Sequence, residues 1–542
     1  MSPRSRTARL VLGVALVALA VVGVAAAVVA TSSPAAPATA LPAPYFVEEA
    51  GAAGLAHAYD GEFTFFVGGG VAAFDCDDDG RPELYFAGGA KPAALFHNDS
   101  PTGGALRFTA VPDAATDLTD VVGAYPLDID GDGNLDLAVL RYGENVVLRG
   151  LGGCRFERAN EAWGIDGDDA WPAAFSATWE GDAGLPTLAF GSYVAKDAVE
   201  GARDACDPHA LLRPNATGTG YAAPVPLAPG YCTLSILFSD WGRSGQRDLR
   251  MANDKHYYRD GEEQLWRVEP GTTPITYTAA EGWKTIQIWG MGLASQDLTG
   301  DGKPEVFITS QGDNKLQTLD EGATGPSYHD LALERGVTAH RPATGDDVLP
   351  STAWHPEFHD ANNDGYLDLY VSKGNVEAMN EYASKDPNSL LLGQPDGTFV
   401  ESTEEAGIVD FAKSRGAALV DLNLDGLLDL VQVERRENVK AWRNVGSGTA
   451  DVPAPLGSWA AIRLRQDGVN RDAIGAWVEL RIGDRVVARE VTVGGGHAGA
   501  AGQRAPRAPA RDPRARKPRR ARGRRLQTGS RRRPARRGCR GR

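Results

Sequence analysis

The chain has 542 residues with 42% hydrophobic content, 65 Gly and 33 Pro, which argues against a disordered chain and for many short strands and turns rather than long helices. Its formal net charge of −15 is unevenly divided: residues 503–542 hold 17 Arg and Lys517 against Asp512, a net of +17, which leaves −32 on residues 1–502. An acidic body argues against nucleic acid as partner and suits divalent cations.

At the N-terminus, Arg4, Arg6 and Arg9 precede an unbroken apolar run over residues 10–30. Residues 1–30 read as an export signal, either a signal peptide or a membrane anchor. A basic start fits the former, whereas 21 apolar residues suffice to span a bilayer and no small-x-small cleavage site follows directly. Both readings stay open, with membrane attachment through residues 10–30 in the second. Residues 31–44 form a Pro/Ala/Ser linker. The folded part is then exported in either case, secreted or anchored at a bacterial-type cell envelope. Five cysteines fit that compartment without making a disulfide scaffold. Cys206 and Cys232 flank a turn-rich segment and are expected to pair. Cys76 and Cys154 are a further candidate pair that nothing in the sequence requires, the alternative being buried thiols.

A repeat organises residues 45–447. Its first copy places Asp75, Asp77 and Asp79 before Gly80 and Glu83. The spacing recurs at Asp128, Asp130, Asp132, Gly133 and Asp136, and at Asp297, Thr299, Asp301, Gly302 and Glu305. It recurs again at Asp360, Asn362, Asp364, Gly365 and Asp368, and at Asp421, Asn423, Asp425, Gly426 and Asp429. Degenerate copies lie around Glu180 and Asp182 and from Asp240 through Gly245 to Asp248, making seven units. Apolar stretches precede each loop and alternating ones follow it, so the loop is a hairpin turn. A second apolar phase recurs at Leu95, Val147, Leu211, Leu265, Leu316, Leu390 and Trp442. A third, aromatic phase recurs at Phe108, Phe156, Tyr277, Tyr328 and Phe399, with a poor copy near Tyr221.

One copy of the third phase is displaced. Phe46 precedes the first loop, and nothing equivalent follows Trp442. The expected fold is therefore all-β: a seven-bladed β-propeller whose N-terminal strand completes blade seven and closes the ring, followed by a small, incomplete β domain over residues 458–497. Closure protects the edges of a radial array. The rival, an open stack of modules, does not account for the displaced strand.

Oxygen ligands at loop positions 1, 3 and 5, Gly at 6 for the sharp turn, a carbonyl at 7 and an acid at 9 are what calcium requires. The helix-flanked calcium loop is excluded because position 12 is Phe86, Val139, Ile308, Val371 and Gln432 rather than Glu. Asp, Asn and Gly also make good turns without metal. Five copies with converging donors favour about five calcium ions. The ligands are then Asp75, Asp77, Asp79 and Glu83; Asp128, Asp130, Asp132 and Asp136; Asp297, Thr299, Asp301 and Glu305; Asp360, Asn362, Asp364 and Asp368; Asp421, Asn423, Asp425 and Asp429. Gly242 and Ser244 replace ligands in one degenerate copy and an insertion spoils the other, so neither is expected to bind an ion.

These loops resemble FG-GAP (VCBS-type) repeats, the units of the integrin α-subunit propeller. Residues 459–496, with Asn470, Arg471, Asp472, Gly475 and Glu490 before Gly494, Gly495 and Gly496, resemble the ASPIC/UnbV domain. Propeller plus that domain is the arrangement of the cartilage acidic protein 1 family. The resemblance implies an exported calcium-binding protein acting in adhesion or matrix interaction, without enzymatic activity. The family continues through a His-Phe-Gly-Leu-Gly-like stretch, whereas residues 498–542 here are an Arg-rich tail expected to be disordered. The tail reads as an out-of-frame or eroded end; a natural basic tail binding anionic surfaces is the conventional alternative. Residues 458–497 are accordingly expected to be poorly ordered.

Two functions are weighed. The first is non-catalytic recognition of an extracellular protein or glycan. The second is a propeller enzyme acting on polysaccharide or another extracellular substrate. The nine histidines form no metalloprotease motif and no Gly-x-Ser-x-Gly elbow occurs; His355 and His359 are four apart but in strand context. Because the acidic loops join first and second strands, residues before first strands and after second strands share the opposite face. That logic gathers Trp283, Trp289 and Trp354 with Asn253, Asp254, His256, Gln311, Asp313, Asn314, Lys373, Asn375, Arg435 and Arg436 as a recognition face. The competing reading makes each Trp a wedge buried between blades.

Overall fold

The computed structural model describes residues 41–196, 205–254, 261–482 and 485–499. The signal segment, most of the linker, His256 and the tail from residue 500 lie outside the described residues.

Seven antiparallel four-stranded sheets form the blades. In blade one, Val71–Phe74 is innermost, followed outward by Glu83–Phe86, Ala94–Asn98 and Phe108–Ala110. The inner two strands of every blade are almost wholly buried because both faces pack on neighbouring blades. Their sequences are therefore continuous apolar runs such as Val121–Leu127 and Asp136–Arg141 rather than half-polar alternations. The outermost strands alternate, as in Phe108–Ala110 with one buried and two exposed residues.

Ring closure is as expected. Phe46–Glu48 pairs with Lys440–Asn444, bringing Phe46 opposite Asn444 and Glu48 opposite Trp442. Blade seven thus runs Ser414–Val420, Asp429–Glu434, Lys440–Asn444, then the N-terminal strand. Phe46 is 2% exposed, and Glu49 just beyond the strand accepts from Arg443 at 2.8 Å. Cys206–Cys232 is bonded, and so is Cys76–Cys154, which ties the blade-one loop to the outer hairpin of blade two.

The residues after the propeller contain one hairpin, Trp477–Ile482 with Arg485–Glu490, and belong to the same compact unit as the blades. Expected as poorly ordered, they instead run across the loop face and enter the ring. Ala498 and Gly499, read from sequence as tail, belong to that inserted segment.

Since Phe46 fills the closing blade's core, Phe46→Ala should cost about 3–5 kcal/mol. Chemical denaturation checks this; stability within 1 kcal/mol of the parent would contradict closure by this strand.

Candidate functional site

In each of the five full-length loops, the ninth-position acid is buried and does one job twice. Asp136 accepts from the amide of Ile129, the loop's second residue, at 2.7 Å and from Gly150 on the third strand at 2.8 Å. Asp368 does the same with Ala361 (2.8 Å) and Gly393 (2.9 Å), and Asp429 with Leu422 and Asn444 (both 2.9 Å). Glu83 accepts from Cys76 at 2.8 Å; Glu305 accepts from Leu298 at 2.8 Å and from the Thr318 hydroxyl at 2.7 Å. Burial pushes these carboxyls up, Glu83 to about 8 and Asp136, Asp368 and Asp429 well above the usual range, with the amide donors opposing it.

In blade one, Asp75, Asp77 and Asp79 at positions 1, 3 and 5 bring carboxylate oxygens within 4.8 Å of one another; in blade two the group is Asp128, Asp130 and the ninth-position Asp136. Gly133 donates to Asp128, Gly302 to Asp297, Gly365 to Asp360 and Gly426 to Asp421, fixing the turn that Gly at positive φ permits. Burial raises Asp128 to about 7, with Asp472, Asp130 and Asp132 adding to it, and Asp360 and Asp421 to about 6. Asp128 Oδ1 and Asn423 Oδ1 are buried with no hydrogen-bond partner among the described residues. Orphaned hard oxygens beside crowded carboxylates fit calcium, which would be held by positions 1, 3 and 5 and would neutralise the charge they concentrate. Two basic side chains already sit at the rims: Arg149 pairs with Asp130 (2.7 Å) and Asp132 (3.2 Å), and His97 hydrogen-bonds Asp77 (3.1 Å).

The degenerate loops are used otherwise. In blade three, Glu180 accepts from Arg213 and Thr187, both at 2.7 Å. In blade four, Asp240 accepts from Ser244 and Gly245 (both 2.7 Å), while Arg243 stacks on Trp477 at 4.5 Å and binds Glu479 at 2.6 Å. Arg247 donates to Gly475 O at 3.0 Å, and Glu490 accepts from Ser239 at 2.8 Å and the Asp240 amide at 3.0 Å. This loop is a protein dock.

The segment it docks circles the entire loop face. Gly457 lies against Asn363 of blade six, Trp459 covers Gly426 of blade seven, and Arg463 reaches Asp78 of blade one at 3.6 Å. Arg471 donates to Gly131 of blade two, and past blade four Arg485 stacks on Tyr366 of blade six at 3.9 Å. Residues 491–499 then turn into the channel and bridge the inner strands: Val493 to Ala177, Gly494 to Leu237, Gly496 to Leu293 and Gly499 to Ala124. A methyl group at Gly70 or Gly123 would lie 1.8 or 1.9 Å from Ala498 O, so glycine there admits the inserted backbone. From the other face a turn at Phe63–Phe66 packs Phe66 and Val67 with Trp171, Tyr193 and Trp354, and the two plugs meet where Gly68 donates to His497 Nε2 at 3.1 Å.

This geometry corrects most of the recognition face read from sequence. Trp354 (0% exposed) donates to Gly374 O, and Trp283 (3%) to Glu263 O. Lys373 is buried beside Asp386; Asn253, Asp254, Gln311, Asn314 and Asn375 are buried among backbone and side-chain partners. Arg435 is buried and holds Phe65 O and Glu377. Residues after second strands fold back to satisfy the short turns below them, so their side chains point inward. Trp289 is half-buried; Asp313 and Arg436 are exposed. Sequence reasoning missed Arg415, wholly buried, stacked on Trp354 at 4.2 Å and donating to Phe66 O. His355 and His359, set aside from sequence for their strand context, alternate with Glu357 on one side of blade six's inner strand, where Glu357 accepts from His359 at 3.0 Å and from Leu419 N at 2.9 Å.

Comparison with known proteins agrees with the loops. The FG-GAP-like repeat family matches residues 75–139, 297–371 and 360–432, the regions of the five full-length loops. These stretches are thus similar to FG-GAP-like repeats, and the fold that carries them is a seven-bladed β-propeller. Part of the chain is similar to cartilage acidic protein 1: 29% identical to the mouse (Mus musculus) protein over 190 residues and 26% to the human (Homo sapiens) one, covering 31% of this chain. The matched region spans about a quarter (26%) of the length of those relatives. Similar solved structures include BBS1N in complex with ARL6DN (11% identity, TM-score 0.41, 71% of this chain and 94% of that one). Another is an Agrocybe aegerita lectin recognising non-reducing terminal N-acetylglucosamine (16%, 0.38, 69% and 93%).

Two outcomes follow for the inserted segment. Gly70→Ala should expel residues 491–499, seen as fast hydrogen exchange there with the outer strands still protected; unchanged exchange would contradict the tight fit. Burial, with Arg415 and His355 adding to it, pushes His497 down to about 3. The released chain therefore binds a proton that the seated ring refuses, and protection of the segment should weaken as pH falls from about 6.5 toward 3. A His497→Gln variant lacks that titration, so an identical pH profile in both proteins would overturn the assignment.

Proposed function

We propose that this protein is an exported, non-catalytic recognition module whose propeller is rigidified by calcium and which binds an extracellular protein or glycan through the face opposite the loops. The observation carrying this reading is the covering of the loop face and the filling of the channel by the chain itself, which leaves the opposite face open. There, half-buried Trp289 packs edge-on to Tyr382 at 6.4 Å, Met379 is 40% exposed beside Gln311, and exposed Asp313 pairs with His340. Aromatic and thioether surface beside hydrogen-bonding groups suits sugars or peptides. Two disulfides, with the basic and apolar N-terminus, support export. Five loops with the same acidic spacing, two of them with clustered carboxylates, together with the orphaned Asp128 Oδ1 and Asn423 Oδ1, support calcium as the cofactor. Occupancy of the channel around His355, Glu357 and His359 supports recognition rather than catalysis.

Extracellular modules of this type bind calcium with dissociation constants of about 10⁻⁴–10⁻³ M. At tenfold excess over that constant each ion stabilises the fold by about 1.4 kcal/mol. Calcium should accordingly raise the melting temperature and a chelator lower it. Immobilised glycans and matrix proteins should retain the calcium-loaded protein but not Trp289→Ala or Tyr382→Ala variants that melt normally. An unchanged melt in chelator would remove the calcium part of the proposal, and equal retention of the variants would remove this face.

A further inference from the structure

The blade-one loop differs from the other four in the side chain that its third strand sets beside it. The pairing of second and third strands fixes one equivalent position per blade: His97 in blade one, Arg149 in blade two, Thr318 in blade five, Leu392 in blade six and Arg443 in blade seven. Of these five, His97 alone offers a nitrogen that can ligate a metal. It reaches the loop. Asp77, Glu83 and His97 each bring one ligand atom to a group in which all lie within 4.8 Å of one another. His97 Nε2 lies 3.1 Å from Asp77 Oδ2, and Nδ1 lies 3.1 Å from Asp99 Oδ1. Asp99 is itself held, because its other oxygen accepts from the Thr109 hydroxyl at 2.7 Å.

An ionised Asp99 can only accept, so it selects the Nδ1–H tautomer of a neutral imidazole. Nε2 then turns a lone pair toward Asp77, and two acceptors at that distance share a cation or repel. Glu83 supplies the third donor and is 0% exposed. Its Oε2 accepts from Cys76 at 2.8 Å, but Oε1 has the Asn98 amide only at 3.5 Å. The equivalent bonds of Asp136, Asp368 and Asp429 to their third strands are 2.8, 2.9 and 2.9 Å. One oxygen of this buried carboxylate is therefore less committed to the sheet than its counterparts. Calcium takes oxygen ligands, whereas imidazole nitrogen suits zinc and its neighbours. A carboxylate on the far nitrogen is how metal-binding imidazoles are held in orientation.

We infer that the blade-one loop is a transition-metal site of the zinc type, with Asp77, Glu83 and His97 as ligands and Asp99 positioning the imidazole. The inference rests on the reading of the loops as cation sites and deepens it, since one of the five selects a different ion from the rest. Cys76 at the second position of this loop is bonded to Cys154 of blade two. A metal held by Glu83 and His97 thus joins two strands of blade one where the disulfide already joins two blades. The competing arrangement is an imidazolium at His97 serving as the loop's own cation, the part Arg149 plays in blade two.

The test uses the full chain, with zinc and calcium as the only added probes. Native mass spectrometry counts ions while zinc is titrated against the calcium-loaded protein, and anomalous scattering at the zinc edge places the ion. The parent should take up one zinc in exchange for one calcium, located between His97 and Glu83. Asp99→Asn should weaken that zinc by about tenfold, and His97→Gln, which offers oxygen in place of nitrogen, by more. Both variants should keep the parent's calcium count and calcium-dependent melt, which tells loss of the zinc site from misfolding. If calcium binds and zinc exchanges at no loop, or if His97→Gln holds zinc as tightly as the parent, this inference is overturned while the calcium reading stands. If neither cation binds, the loops are not cation sites and both readings fall.

Discussion

The structure depends on one repeated interaction, the buried ninth-position carboxylate that accepts from the second amide of its loop and from the third strand of its blade. This acid fixes the hairpin turn to the sheet it leads into, and thereby sets the positions of the loop's other oxygens. Its burial is costly, which the upward shifts of Asp136, Asp368 and Asp429 record. Blade four keeps this clamp in a loop whose third and fifth positions are Gly242 and Ser244. Asp248 still accepts from Val268 of the third strand at 3.1 Å, while Trp241 and Tyr277 occupy its other oxygen at 2.8 Å each. The ninth acid is therefore kept for the fold in blade four, whereas positions 1, 3 and 5 are the ones the proposed ion would need.

The blade-four loop has a protein partner. Gly242 and Ser244 stand at its third and fifth positions, and Arg243 and Arg247 in the same turn grip Trp477, Glu479 and Gly475 of the C-terminal segment. Degeneracy in one repeat therefore reads as specialisation, because a cationic loop meets the acidic and aromatic side of the hairpin where an acidic loop would repel it. That segment in turn covers the remaining loops, and its end fills the axis of the ring. The proposed ligand recognition falls to the opposite face for the same reason: the C-terminal segment occupies the loop face and the channel.

Much of this was legible in the sequence. The loop spacing marked seven hairpins, and the displaced Phe46 gave the closure, because both are periodic signals that a strand must carry. The channel segment was not legible. Residues 491–499 carry no alternation, and Gly494, Gly495 and Gly496 adopt positive φ, so the segment meets the blades through single backbone bridges that no side-chain pattern announces. The one available signal lay elsewhere, in glycines interrupting apolar inner strands at Gly70, Gly123 and Gly416. The recognition face failed for a related reason. Strand logic placed Trp354, Lys373 and Arg435 near the correct end of the blade, but not the direction of their side chains, which turn inward to satisfy the carbonyls of short turns and of the Phe63–Phe66 plug.

The central claim is that the five full-length loops are cation sites on a ring closed by its own C-terminal segment. A crystal structure grown with calcium, with anomalous scattering used to place the ions, tests it most directly. The account predicts ions in blades one, two, five, six and seven, none at Asp240 or Glu180, and residues 491–499 seated in the channel. Ordered calcium in the Asp240 loop, five empty loops, or a channel open along the axis would contradict it.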